Sequence, residues 1–99
     1  MTKMIQLIEY WTESFDDVDN LLTDWIQNSQ GQRTAKRTRV GQDRNESNHY
    51  IEILEFNSVD DAERNSQLPS TDAIHERFVK LCTQGPVFTD LLIRRDVDL

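Results

Sequence analysis

Three short segments of this chain alternate between two sets of side chains, and both sets are apolar, which limits the fold more than any other feature of the sequence. They are residues 4–11 (MIQLIEYW), 49–56 (HYIEILEF) and 87–93 (VFTDLLI). Their β-branched and aromatic content reads as strand. Alternate residues of a strand point to opposite faces, so each segment splits into two lists. One face collects Ile5, Leu7, Ile51, Ile53, Val87, Leu91 and Ile93, and is expected to lie against helices. The other collects Met4, Gln6, Ile8, Tyr10, Tyr50, Glu52, Leu54, Phe56, Phe88, Asp90, Leu92 and Arg94. That second list is too apolar for open solvent, where a half-exposed antiparallel sheet shows a polar side.

The connecting segments complete the pattern. Phe15, Val18, Leu21, Leu22, Trp25 and Ile26 recur at helical spacing behind Ser14, a candidate cap, with Asp16, Asp17 and Asp19 near the positive end of the helix dipole and Gly31 as its stop. A weakly apolar strand is expected at 33–40, joined to the third strand by the polar run Gly41 to Asn48. Ser58, with Asp61 three residues on, forms an acidic variant of the capping box and should open a second helical segment. Pro69 interrupts it, Ser70 or Thr71 caps the continuation through Ile74, Phe78, Leu81 and Cys82, and Gly85-Pro86 ends it. The order is β-α-β-β-α-β. It predicts a single α+β domain over residues 1–99, a ferredoxin-like antiparallel sheet with helices on one face. Helices on one side leave the other face bare, so its economical cover is the same face of a second copy, a homodimer closing a barrel about a two-fold axis.

Composition narrows the function classes. The chain has 99 residues, 36% hydrophobic and 29% charged, enough for one folded domain. A single cysteine, Cys82, excludes an intramolecular disulfide and a multi-cysteine metal site. The N-terminal run is broken by Glu9 and Glu13 and does not read as a signal peptide, and no window approaches the ~20 apolar residues of a membrane span. A cytoplasmic protein without membrane contact is the expectation. The net charge of −7 argues against nucleic-acid affinity, which comes from replacing counterions on phosphates with Lys and Arg. The basic island Arg33, Lys36, Arg37, Arg39 and Arg44 falls on an expected edge strand, where positive charge discourages strand addition, with salt bridges to the acidic helices.

The element order, together with Phe56-x-Ser58-x-x-x-Ala62-x-x-Asn65 followed by Leu68-Pro69, resembles the dimeric α+β barrel superfamily that includes antibiotic-biosynthesis monooxygenases. The resemblance covers nearly the whole chain in element order and is carried at residue level by the second helical segment. It implies a dimer and a pocket within each subunit. Monooxygenase-type members often have Trp at the position of Phe56 and His at that of Asn65. Haem-degrading members use an Asn, a Trp and a His, and no Trp accompanies His75 in its helix, so no cofactor or metal is expected.

Candidate site residues follow from the second list. Glu52, a carboxyl between Tyr50 and Leu54, would have a raised pKa and can serve as general base or ligand anchor; the competing reading is an ion pair of Glu52 or Asp90 with Arg94. His75, at the border of its helix's apolar stripe, is the second catalytic candidate, against a plain boundary histidine. Gln6, Tyr10, Tyr50, Phe56, Asp90 and Arg94 are the ligand-binding candidates, and the resemblance adds Asn65 from the second helical segment. Two functions compete: a binder of a small apolar or aromatic ligand with cofactor-independent monooxygenase-like chemistry, and a non-catalytic dimerisation or regulatory module with a filled barrel.

Overall fold

The computed structural model describes residues 2–99. The alternating segments form β1 (Met4–Trp11), β3 (His49–Phe56) and β4 (Gln84–Leu92), and the basic segment forms β2 (Arg37–Gln42). The sheet order is β2-β3-β1-β4, with every neighbouring pair antiparallel. Helices α1 (Phe15–Asn28), α2 (Val59–Ser66) and α3 (Pro69–Leu81) lie on one face. This is the ferredoxin-like β-α-β-β-α-β arrangement, with an open sheet.

The face against the helices is the opposite of the one expected. Register aligns Gln6 with Leu54 and Asp90, Ile8 with Glu52 and Phe88, and Tyr10 with Tyr50. Met4, Ile8, Tyr10, Tyr50, Leu54 and Phe56 from that face form the buried core with Val18, Leu21 and Trp25 of α1, backed by Ile74 and Phe78 of α3. Strand alternation sorts residues into two sets but does not say which set meets the helices. Area decides: Tyr10 and Phe56 are 2% and 3% exposed, and large aromatic side chains gain most from leaving water. Phe15 and Tyr10 stack on Tyr50 with centroids 4.5 and 5.6 Å apart, and Phe78 meets Tyr10 edge-on at 5.1 Å. The aliphatic list, Ile5, Leu7, Ile51, Ile53, Val87 and Leu91, faces outward, with Val87 49% and Leu91 43% exposed.

Local signals explain the element ends. Ser58 caps α2, its hydroxyl accepting from the Asp61 amide at 3.1 Å. Ser14 stands before α1 without a side-chain cap; instead the Thr12 hydroxyl accepts from the Ser14 amide at 3.0 Å and donates to the Leu81 carbonyl at 2.6 Å. Pro69 separates the two helices but opens α3 as its first residue, so neither Ser70 nor Thr71 caps it. Proline suits that place because the first helical N–H has no partner to lose. The helix ends at Leu81, and Gly85-Pro86 belongs to β4. Gly85 has φ +80°, and a Cβ there would stand 2.8 Å from the Glu9 carbonyl oxygen, beside the register shift between β1 and β4, so the position needs glycine. The strand β2 is an edge, but its arginines do not reach the helices. Arg37 and Arg39 approach Glu55 on β3 at 3.9 and 3.3 Å, since all three side chains share the outer face.

Candidate functional site

Between sheet and helices lies a cavity of about 370 Å³. Its floor is the helix-facing side of the central strands β1 and β3 and the edge strand β4, with Gln6 and Ile8 of β1, Glu52, Leu54 and Phe56 of β3, and Phe88 of β4. Its roof is Leu22 and Trp25 of α1, Ala62, Asn65 and Ser66 of α2, and Thr71, Asp72, Ile74, His75 and Phe78 of α3. The break at Gln67–Leu68 turns the chain between α2 and α3, so that one segment supplies two walls. Mostly apolar walls with a few polar groups are the usual make-up of a small-molecule site.

Glu52 is the ionisable group of the floor. It sits between Ile8 on β1 and Val40 on β2 and accepts a 2.6 Å hydrogen bond from the Thr38 hydroxyl. Burial pushes its carboxyl above the ordinary glutamate range, and the Thr38 bond pulls in the other direction without cancelling it. Burial, and next the nearby Glu52 charge, also raise the pKa of Tyr10. On β1, Gln6, which lines the cavity, donates one N–H of Nε2 to Asp90 at 3.0 Å.

The roof is held by a hydrogen-bonded relay. Trp25 Nε1 donates to Thr71 Oγ1 at 3.0 Å, and Thr71 Oγ1 donates to the Asn65 carbonyl at 3.1 Å. Asn65, 5% exposed, accepts on Oδ1 from the Thr34 amide at 3.2 Å, and the Thr34 hydroxyl donates to the Asp61 carbonyl. A backbone N–H can pair only with the amide oxygen, so this bond turns the Asn65 NH2 away from Thr34. His75 lies on the exposed side of α3, its ring 6.3 Å from that of Phe88.

Of the candidate residues, Gln6, Glu52, Phe56, Asn65 and His75 converge on one cavity. Tyr10 and Tyr50 are buried in the aromatic stack outside its lining, and Tyr50 Oη accepts from Gln42 at 3.3 Å. Asp90 acts one bond back, through Gln6. Arg94 follows the end of β4 and is exposed, outside the cavity lining, and within the chain it pairs with neither Glu52 nor Asp90. Sequence reasoning missed Thr38, Trp25 and Phe88 as site residues. Phe88 was legible, since it shares a face with Gln6 and Glu52; Trp25 reads as core on any helical stripe, and Thr38 depends on the register of β2. Cys82 is partly buried, its thiol 3.2 Å from the Phe78 carbonyl and raised in pKa by burial.

A second cluster lies at the far end of the sheet. His49 Nδ1 is 2.8 Å from Asp43 and Nε2 is 2.8 Å from Glu9, while Trp11 stacks on the imidazole at 4.3 Å and 9°. Trp11 Nε1 in turn donates to Glu46 at 3.0 Å. The Asp43 hydrogen bond is the main reason the His49 pKa is raised. The Asn45 amide, and next His49, hold Asp43 below the usual range. Asp43, Glu46 and His49 stand close enough to share a cation, but both imidazole nitrogens already face carboxylates, which makes this an ion network at the hairpin end.

Among the described residues no helix is long and apolar enough to cross a membrane. No protein-family model matches the chain, and no curated protein matches it in sequence. Solved structures do match in fold. A variant of SnoaB, a cofactor-independent oxygenase from Streptomyces nogalater, superposes with a TM-score of 0.82 at 12% identity, covering 96% of both chains. Rv0793 from Mycobacterium tuberculosis gives 0.80 at 9% identity over 97% of this chain and 99% of its own. A Caulobacter crescentus protein provisionally described as an antibiotic biosynthesis monooxygenase gives 0.82 at 9% identity, covering 95% and 92%. At such identities the likeness is one of architecture: this chain shares with these proteins a ferredoxin-like sheet with helices on one face.

Proposed function

We propose that the cavity binds a small apolar or aromatic ligand, and that the chain acts as a homodimer with monooxygenase-like, cofactor-independent chemistry in each subunit. The observation that carries this reading is the cavity itself: about 370 Å³, walled by Trp25, Phe56, Phe78 and Phe88, with Glu52, Gln6, Asn65 and His75 as polar points. Glu52 is the group whose surroundings suit proton exchange, because burial favours the neutral form of its carboxyl and so raises its basicity toward a ligand proton. His75, on the exposed side of the roof, is positioned to pass a proton to solvent. The fold shared with a cofactor-independent oxygenase supports the reaction class.

The dimer is supported by the outer face. Ile5, Leu7, Ile51, Ile53, Val87 and Leu91 form a continuous aliphatic surface on an open sheet, and a second copy placed on it removes that surface from water. The face expected to be covered was the other one, so the partner here closes the side opposite the cavity.

The test is to fill the space. Ala62→Trp puts an indole into the roof of the cavity, and equilibrium binding of a naphthalene probe to the intact chain should fall at least tenfold while the circular dichroism spectrum stays that of the parent. Unchanged binding in a folded Ala62→Trp variant would remove the cavity from consideration, and the non-catalytic reading would then be preferred.

A further inference from the structure

The cavity lining carries a charge pattern that an apolar ligand does not use. Two carboxyl groups line it, Glu52 and Asp72, and neither lysine nor arginine does. Arg33 comes near, its guanidinium carbon 6.0 Å from the centre of the Trp25 ring, but its Nη1 donates to the Ile26 carbonyl at 2.7 Å and the residue is not part of the lining. The chain as a whole is acidic, with a net charge of −7.

An isolated carboxylate is costly among apolar walls unless a partner neutralises it. Among the described residues Glu52 has a single hydroxyl partner, Thr38 Oγ1 at 2.6 Å, and no salt bridge. The groups facing it from neighbouring elements form no ion pair with it: Ile8 on β1, Thr38 and Val40 on β2, and Leu22 and Trp25 on α1 are uncharged, Asp72 on α3 is acidic, and His75, on the exposed side of α3, makes no salt bridge to Glu52. Gln6 lines the same cavity, and with one N–H of its NH2 engaged by Asp90 its side-chain carbonyl oxygen is a second acceptor beside Glu52. Trp25, Phe56 and Phe78 present rings of the kind that attract a cation through their faces.

We infer that the cavity takes a hydrophobic monocation, an aromatic or alkyl amine whose ammonium group pairs with Glu52 while its apolar body lies between Ile8, Trp25 and Phe78. This rests on reading the cavity as a ligand site and names the class of ligand. An ammonium group supplies the charge that the buried carboxyl lacks, and its three N–H donors match the acceptors on Glu52 and Gln6. An anion of the same shape meets two carboxyl groups and neither lysine nor arginine, with His75 at the exposed side of the roof as the basic side chain among the described lining residues.

Three probes of one shape separate the possibilities: naphthylmethylamine, naphthylmethanol and naphthoate, titrated by calorimetry into the intact chain at neutral pH. The expected order is amine tightest, alcohol at least tenfold weaker, naphthoate weakest. Glu52→Gln should remove the advantage of the amine and leave the alcohol within about twofold, as expected when a charge-assisted bond is lost from a cavity of unchanged shape. Alcohol or naphthoate binding as tightly as the amine to the parent chain overturns the inference while leaving the cavity as a ligand site. A folded Glu52→Gln variant that still prefers the amine overturns it as well, and absence of binding by all three removes both readings. The parent series alone decides between amine and anion if the variant does not fold.

Discussion

The two faces of this sheet are made by the same strands, yet they solve opposite problems. The helix-facing side mixes its largest rings with Gln6 and Glu52, and the helices stand off over the polar pair, leaving a cavity. The outer side is aliphatic along β1 and β3 and charged toward β2 and the hairpin, where Glu55 serves Arg37 and Arg39 and His49 serves Asp43 and Glu9. On the outer side Glu55, Glu9 and Asp43 each have a basic side chain beside them. On the inner side Glu52 has a hydroxyl and a space. The difference teaches that polarity within a strand list does not mark the solvent side: a carboxyl can sit on the core face where the layers above it do not close.

The largest expected effect tests which face is the core. Phe56→Ala should lower unfolding stability by about 3–5 kcal/mol in urea denaturation, the usual cost of emptying a buried aromatic site, whereas Ile53→Ala on the outer face should cost about 1 kcal/mol or less in dilute protein. At concentrations where the chain self-associates, the Ile53→Ala loss should grow and depend on protein concentration. Equal losses at both positions in dilute solution would erase the distinction between the faces.

A smaller effect sharpens the contrast in charge. Glu52 has a raised pKa in the folded chain, so its contribution is fully present below the ordinary glutamate pKa of about 4.3 and declines as pH rises through the folded value. Glu52→Gln should therefore flatten the stability profile above that range and make the chain more stable than its parent at neutral pH, by less than the Phe56→Ala loss. A variant less stable than the parent at neutral pH would mean that the Thr38 bond outweighs the burial.

The smallest effect belongs to the hairpin. His49 is also raised, so its ion network stabilises below about pH 6.5 and fades as pH climbs through the folded value. Asp43, held low, keeps its contribution above the ordinary aspartate pKa and loses it as pH falls through its folded value. His49→Gln should remove the decline on the alkaline side and leave the acid limb in place, read from melting temperatures across pH; an unchanged alkaline limb would assign that titration elsewhere.

Much of the fold is legible because it rests on local rules. The Ser58 hydroxyl meets the Asp61 amide as the capping spacing requires, and the weakly apolar segment with four arginines and a lysine nearby lies at a sheet edge. The β1 and β3 boundaries follow from where alternation stops. What a local rule cannot reach is the choice between two apolar faces, since that depends on how much area the helices can cover. The candidate site shows the same division. Gln6, Glu52 and Phe56 meet in space although the face was turned the wrong way round, because the strand sets survive the exchange, and Asn65 and His75 join them from the helices above. Arg94 does not join them, as β4 ends at Leu92 and the alternation no longer binds it to the sheet. Thr38 was invisible because β2 has too little apolar pattern to fix its register from sequence.

The relay from Trp25 through Thr71 and Asn65 to Thr34 has a consequence for how such a chain can change over generations. It fastens α1, α2, α3 and the approach to β2 into one frame using backbone groups and three side chains at the margin of the space. The floor opposite is built from strand positions whose partners across the ladder are backbone, indifferent to side-chain identity. Selection can therefore rewrite Gln6, Glu52 or Phe88 one at a time beneath a constant roof without passing through an unfolded ancestor.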